Sequence, residues 1–164
     1  MKILGVDPGL EATGIALVEF NASKLEIKFG DTIYTDFKAS LPEKLAFIYN
    51  YIKNITSFYF PDWIVVEDVF TKRYPFSATK IAQVQAVVFL IAGLLNIPVK
   101  TYHPTEIKKA IAGNGRANKE EVAKAVSTLF SIKNEKLSEH VIDALALIYY
   151  FIIELEKTGI FNVV

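Results

Sequence analysis

The chain has 164 residues, 52% of them hydrophobic, 13% aromatic and 22% charged, with 18 basic and 18 acidic side chains. That is ample apolar material for one buried core, and it excludes a disordered or low-complexity protein; the length fits a single domain spanning 1–164. The zero net charge points to no partner, but its distribution does: residues 69–133 carry ten Lys/Arg against Glu106, Glu120 and Glu121, and the flanking stretches carry eight basic against fifteen acidic residues. Such segregation suits one surface built for a polyanion and another that gathers acids, the plainer alternative being a solvated basic face. There is no cysteine, hence no disulfide framework, thiolate metal site or cysteine nucleophile. The start of the chain does not read as a signal peptide, and the apolar runs at 86–95 and 144–153 fall short of the roughly 20 residues of a membrane span. The expectation is a soluble cytoplasmic protein with no membrane partner.

In chain order, residues 2–6 form a short apolar strand that stops at Asp7-Pro8-Gly9. Strand formers resume at 13–20, turn at Asn21-Ala22-Ser23, and continue over 25–29, Gly30-Asp31 and 32–35, which together predict a three-stranded antiparallel meander. Pro42 stands at a helix start, and Leu45, Ile48, Ile52 and Ile55 recur at three- and four-residue steps. Residues 63–66 predict a buried strand ending at Glu67. The segment 77–95 predicts a helix that is apolar on nearly every side, one face for the sheet and another for a partner. A fifth strand is expected at 97–100 and a short helix at 105–111, stopped by Gly113-Asn114-Gly115. Asn118 and Glu121 have the spacing of a capping box for a helix reaching about Phe130, and Ser138 caps the last helix with Leu137 and Ile142 as its staple. This order predicts a mixed five-stranded sheet, three strands antiparallel and two parallel, covered by helices.

Three acids stand where an apolar residue would serve folding better. Asp7 and Glu67 each follow a buried strand, and Asp143 interrupts the otherwise apolar stretch 141–153. A carboxylate buried alone costs several kcal/mol, so it must find a cation or a metal. Asp7 also reads as a turn residue and Glu67 as an exposed strand end; Asp143 has the least structural excuse. If the first and fourth strands are neighbours, Asp7 and Glu67 emerge at one sheet edge, and the final helix can bring Asp143 over it. Three converging oxygen donors suit Mg²⁺ or Mn²⁺ rather than zinc. His140, three residues before Asp143, shares its helix face and is a candidate ligand or proton-transfer group, unless it is an ordinary surface residue. His103, before Pro104, has no assigned role.

Gly5-Val6-Asp7-Pro8-Gly9 with Thr13-Gly14, Glu67-Asp68-Val69-Phe70 with Ser77-Ala78, Ile107-Lys108-Lys109 with Gly113-Asn114-Gly115, Ala117 and Lys119, and His140 with Asp143-Ala144-Leu145-Ala146 occur in that order. Together they resemble the motifs of the RuvC family of Holliday-junction resolvases over residues 2–153. The resemblance implies a ribonuclease-H-like fold and a divalent-metal-dependent endonuclease. Its substrate would be four-way DNA junctions in recombination and repair, its form a homodimer, and its partners proteins of the RuvA/RuvB branch-migration type. It carries over Asp7, Glu67 and Asp143 as metal-binding catalytic acids and Phe70 as an aromatic wedged against bases near the crossover. It also matches Lys108 and Lys119 to basic residues near the cleaved phosphate. Many members have a carboxylate where this chain has His140, and some have histidine. Tyr74 stands where Asn is usual, and Ala82, Gln85 and Ala86 where Gly, Arg and Gly are expected; these departures bear on DNA affinity, cut preference and the dimer interface, not on the acids.

Phosphodiester hydrolysis by two cations about 4 Å apart needs such an acid cage, with Asp7 expected to bridge both ions, Glu67 and Asp143 to favour one each, and His140 to complete the second site or handle a proton. Lys72, Arg73, Lys80, Lys108, Lys109, Arg116 and Lys119 are the expected phosphate contacts, and the helix at 77–95 is a candidate interface, the alternative being a core helix. Competing readings are a ribonuclease-H-like nuclease of another substrate and a non-catalytic junction-binding module. An actin-like ATPase, whose opening motif is similar, needs two such lobes.

Overall fold

The structure is a computed structural model that describes residues 1–21, 24–69, 75–113, 115–132 and 137–158, without the side chains of 75–77. Its elements are β1 (Lys2–Asp7), β2 (Ala12–Asn21), β3 (Lys24–Tyr34), α1 (Leu41–Tyr59), β4 (Trp63–Glu67), α2 (Pro75–Leu95), β5 (Val99–Tyr102), α3 (Pro104–Ala112), α4 (Lys119–Leu129) and α5 (Glu139–Lys157). The strands lie in the order β3-β2-β1-β4-β5. The first three pair antiparallel, and β4 and β5 add parallel to β1. The expected mixed sheet is therefore the one observed.

The third strand runs through Gly30-Asp31, pairing Gly30 with Ala16 and Asp31 with Ile15. One strand boundary differs from expectation: the fifth strand begins two residues late because Ile97 finishes α2 instead. Asn96 takes a left-handed conformation, φ 55°, and the Ile97 N–H donates to the Ala92 carbonyl at 2.9 Å, which closes the helix in a Schellman-type turn. The predicted caps are present at Asn118, which exchanges hydrogen bonds with Glu121, and at Ser138, whose hydroxyl accepts from the Val141 N–H.

Alternation along the strands sorts the core into two layers. Leu4, Val6, Ile15, Leu17, Ile64 and Val66 face α1 and α2, meeting Ile48, Ile52, Val84, Val88 and Ile91. Ile3, Ala16, Val18 and Val65 face the opposite way, toward α3, α4 and above all α5. Helix α2 buries only its sheet-facing stripe, while Phe89, Leu90, Leu94 and Leu95 stay exposed. Ala78–Leu95 is long and apolar enough, by length and composition alone, to cross a membrane; its buried stripe accounts for part of that hydrophobicity and its free face for the rest.

Helix α5 lies unusually low on the sheet. A Cβ on Gly5 would run into the Ala144 carbonyl, and one on Gly14 into the His140 carbonyl. Gly14 pairs with Asp7 across β1 and β2, so this contact sets the height of the first turn of α5 above the ends of the central strands. Gly14→Ala therefore lifts the helix: we expect a loss of about 1–3 kcal/mol in urea unfolding, and an unchanged midpoint would show that the close approach is dispensable.

Candidate active site

Asp7 and Glu67 are the last residues of β1 and β4. The two strands are parallel neighbours in the register Gly5↔Val65, Val6↔Val66, so the next pair to emerge is Asp7 beside Glu67. By alternation both carboxyls point to the α5 face, with Gly5 and Val65 rather than with Val6 and Val66. From above, α5 delivers His140 in its first turn and Asp143 in its second. The start of that helix is pinned by contact between the Ser138 and Thr32 hydroxyls.

The four groups meet. His140 Nδ1 lies 2.9 Å from Asp7 Oδ2, and the Glu67 carboxyl is within interaction reach of Asp7. Asp7 is thus the shared member, its side chain only 14% exposed. Burial, followed by the charges of Asp7 and Asp143, pushes Glu67 up to about 8. Burial and then the charge of Asp7 push Asp143 up to about 6. The hydrogen bond to Asp7 raises His140, which favours its imidazolium form. Among the described residues, no three carboxylate or imidazole groups already surround a point as a ligand set; Asp7 is bonded to His140 instead.

Their chemistry fits a divalent cation all the same. Oxygen donors from separate elements are held together against their own repulsion, and a group of +2 charge at that point would relieve it. Asp7, Glu67 and Asp143 are the residues that would hold it, with His140 beside them.

Two of the expected basic residues come to the acids. Lys108 and Lys119 line a cleft with Glu67, Asp143, Pro104 and Ile107, and both lower the cost of ionising Asp143. Lys109 on α3 and Arg116 before α4 are exposed and do not line it. Lys80 lies elsewhere, in a depression with Leu10, Glu11 and Lys44. Phe70, Lys72, Arg73 and Tyr74 fall outside the described residues.

Sequence reasoning missed two supports of the site. Gln85, noted there only as a departure from a family pattern, is buried among the apolar residues of α2 and donates its side-chain N–H to the Glu67 carbonyl at 3.1 Å. A buried amide in an otherwise apolar stripe was the available signal. Lys44, 7% exposed, pairs with Glu11 at 2.7 Å and so ties α1 to the turn that follows Asp7. A lysine where the α1 periodicity calls for an apolar residue was its trace.

The raised pKa of Glu67 has a consequence for stability. Between its ordinary value of 4.5 and about 8, the folded protein holds a proton that the unfolded chain has lost, so stability falls as pH rises through that window. Glu67→Gln removes this titration. We expect its metal-free form at pH 8 to melt about 2–4 °C above the parent, with a flatter pH profile by calorimetry; parallel profiles would contradict the burial of this charge.

Residues 3–150 match the family model described as crossover junction endodeoxyribonuclease RuvC. A protein of that name from Wolbachia pipientis subsp. Culex pipiens is 35% identical over 148 residues, covering 89% of this chain and 88% of its own length. One from Trichlorobacter lovleyi is 33% identical over 132 residues, 80% of this chain and 74% of its own. Among solved structures, Thermus thermophilus RuvC in complex with Holliday junction substrate superposes with a TM-score of 0.88 at 28% identity, covering 96% of each chain. The yeast mitochondrial Holliday junction resolvase, at 13% identity and a TM-score of 0.67 over 98% of this chain and 81% of its own, shares the fold. The architecture is ribonuclease-H-like, and the match to one family model runs through nearly the whole sheet and its helices: the chain belongs to the RuvC crossover junction endodeoxyribonucleases.

Proposed function

We propose that this chain resolves four-way (Holliday) DNA junctions by paired nicks, through metal-assisted phosphodiester hydrolysis, in DNA recombination and repair. The observation that carries this reading is the meeting of Asp7, Glu67, His140 and Asp143 beneath a rim bearing Lys108 and Lys119. The family to which the chain belongs and the junction-bound Thermus relative support the choice of substrate.

Asp7, Glu67 and Asp143 are the proposed holders of Mg²⁺ or Mn²⁺, two ions per site, with His140 beside them. Bound there, the cations supply Lewis-acid stabilisation of the phosphate oxygens and a nucleophilic water at neutral pH. The chain's own residues do the rest. Lys108 and Lys119 draw a phosphate toward a cluster of acids that would otherwise repel it. Asp7 orients His140 through Nδ1, and the raised basicity of that ring suits it to hand on a proton near neutral pH. Gln85 fixes the backbone that carries Glu67. Phe70 remains the proposed wedge at the crossover, and Lys72, Arg73, Lys109 and Arg116 the proposed contacts to phosphates farther from the cut.

Two symmetric cuts require two sites, hence a two-fold homodimer. The exposed face of α2, with Phe89, Leu90 and Leu94 at 41, 55 and 62% exposure, is the proposed interface, larger in apolar content than a lone surface residue needs. The enzyme would act in the cytoplasm, alongside branch-migration proteins of the RuvA/RuvB type.

Incubation with a labelled four-way junction, with and without Mg²⁺, tests the activity: paired nicks across the crossover are expected only with the metal. Asp7→Asn should lower the rate by at least about 10³-fold while junction binding in a gel-shift assay stays within about threefold of the parent. Cutting by that variant at the parent rate would end the metal mechanism. For the assembly, Leu94→Glu buries a charge in the proposed interface and should turn a dimer into a monomer in sedimentation; a persisting dimer would place the interface elsewhere.

A further inference from the structure

We propose that Glu139 is an internal competitor for the DNA phosphate at Lys119, so that Lys119 exchanges a carboxylate for a phosphate each time a junction is bound. The inference rests on the nuclease reading above. Lys119 Nζ lies 2.6 Å from Glu139 Oε2, and the two side chains are 68% and 67% exposed. They are the first residues of α4 and α5, helices brought side by side at the active-site edge. A cation at a helix N-terminus is poorly placed with respect to the helix dipole, whereas a carboxylate there is well placed. Glu139 thus has local support at its position that Lys119 lacks, and Lys119 is the partner free to change sides.

Lys119 also stands between two concavities that share Asp143. One is the cleft with Glu67 and Lys108; the other is a depression lined by Glu120, Ala123, Glu139 and Ile142. A phosphate entering the cleft meets Lys119 already occupied and Glu139 at the rim, where like charge opposes it. An exposed ion pair is weak enough to yield to a well-aimed phosphate, its strength being worth at most about fivefold in an equilibrium. A charge-assisted bond to phosphate then replaces it, and Glu139, two-thirds exposed, returns to water at little cost. A phosphate held in place by the rest of the interface opens the pair; one passing at the surface does not.

The test measures the Kd of a fluorescent four-way junction at fixed salt with four proteins, all carrying Asp7→Asn so that nothing is cut. These are that parent, parent with Glu139→Gln, parent with Lys119→Met, and parent with both. Glu139→Gln should tighten binding about three- to fivefold in the parent and leave the Lys119→Met protein within about 1.5-fold. Weaker binding with Glu139→Gln would overturn the proposal by making Glu139 a positioner of Lys119. Equal tightening with and without Lys119 would overturn it by reducing Glu139 to a general negative charge. Absence of junction binding by the parent would instead remove the nuclease reading, and the proposal with it.

Discussion

The close approach of α5 to the sheet is what the site depends on. Two strand ends supply two of the acids, and geometry alone puts Asp7 and Glu67 side by side once β1 and β4 are parallel neighbours. The other two groups sit on a helix, and a helix held off the sheet by side chains at positions 5 and 14 would keep them too far away. Gly5 and Gly14 remove that separation, letting the carbonyls of Ala144 and His140 settle where side chains would otherwise stand. The absence of two methyl groups thus accounts for His140 reaching hydrogen-bonding distance of Asp7.

The convergence is electrostatically unfavourable by itself. Burial and mutual repulsion leave Glu67 and Asp143 more basic than carboxylates in water, and the fold tolerates this because its stability is secured elsewhere, in two apolar layers that meet α1 and α2 on one side and α3 to α5 on the other. Stored charge of this kind is a common property of sites that bind cations. Lys108 and Lys119 soften it from the rim without filling it. Lys44 and Gln85 act one step farther back, through the turn after Asp7 and the backbone of Glu67.

Much of this was legible beforehand, for physical reasons that differ by element. Short strands bounded by Asp-Pro-Gly or Pro-Asp, and helices with Asn118 and Ser138 caps, announce themselves through local chemistry. The acids were legible because a charge in an apolar run has no use in folding. The shift of β5 escaped because Asn96 in the left-handed region looks like any other asparagine until its backbone is seen. Lys108 and Lys119 were set apart from Lys109 and Arg116 by the family resemblance, and helical phase and loop path are what bring that pair to the cleft. Gln85 could be read as a difference from its relatives but not as a bond to Glu67, since that bond joins residues eighteen apart across two elements.

The bond from Gln85 to the end of β4 has a mechanical meaning. It couples one acid-bearing strand to the helix whose outer face stays exposed. A shift of α2 along its axis would therefore be felt at the Glu67 backbone, and a change of side chain at position 85 would uncouple the two without altering any of the clustered acids.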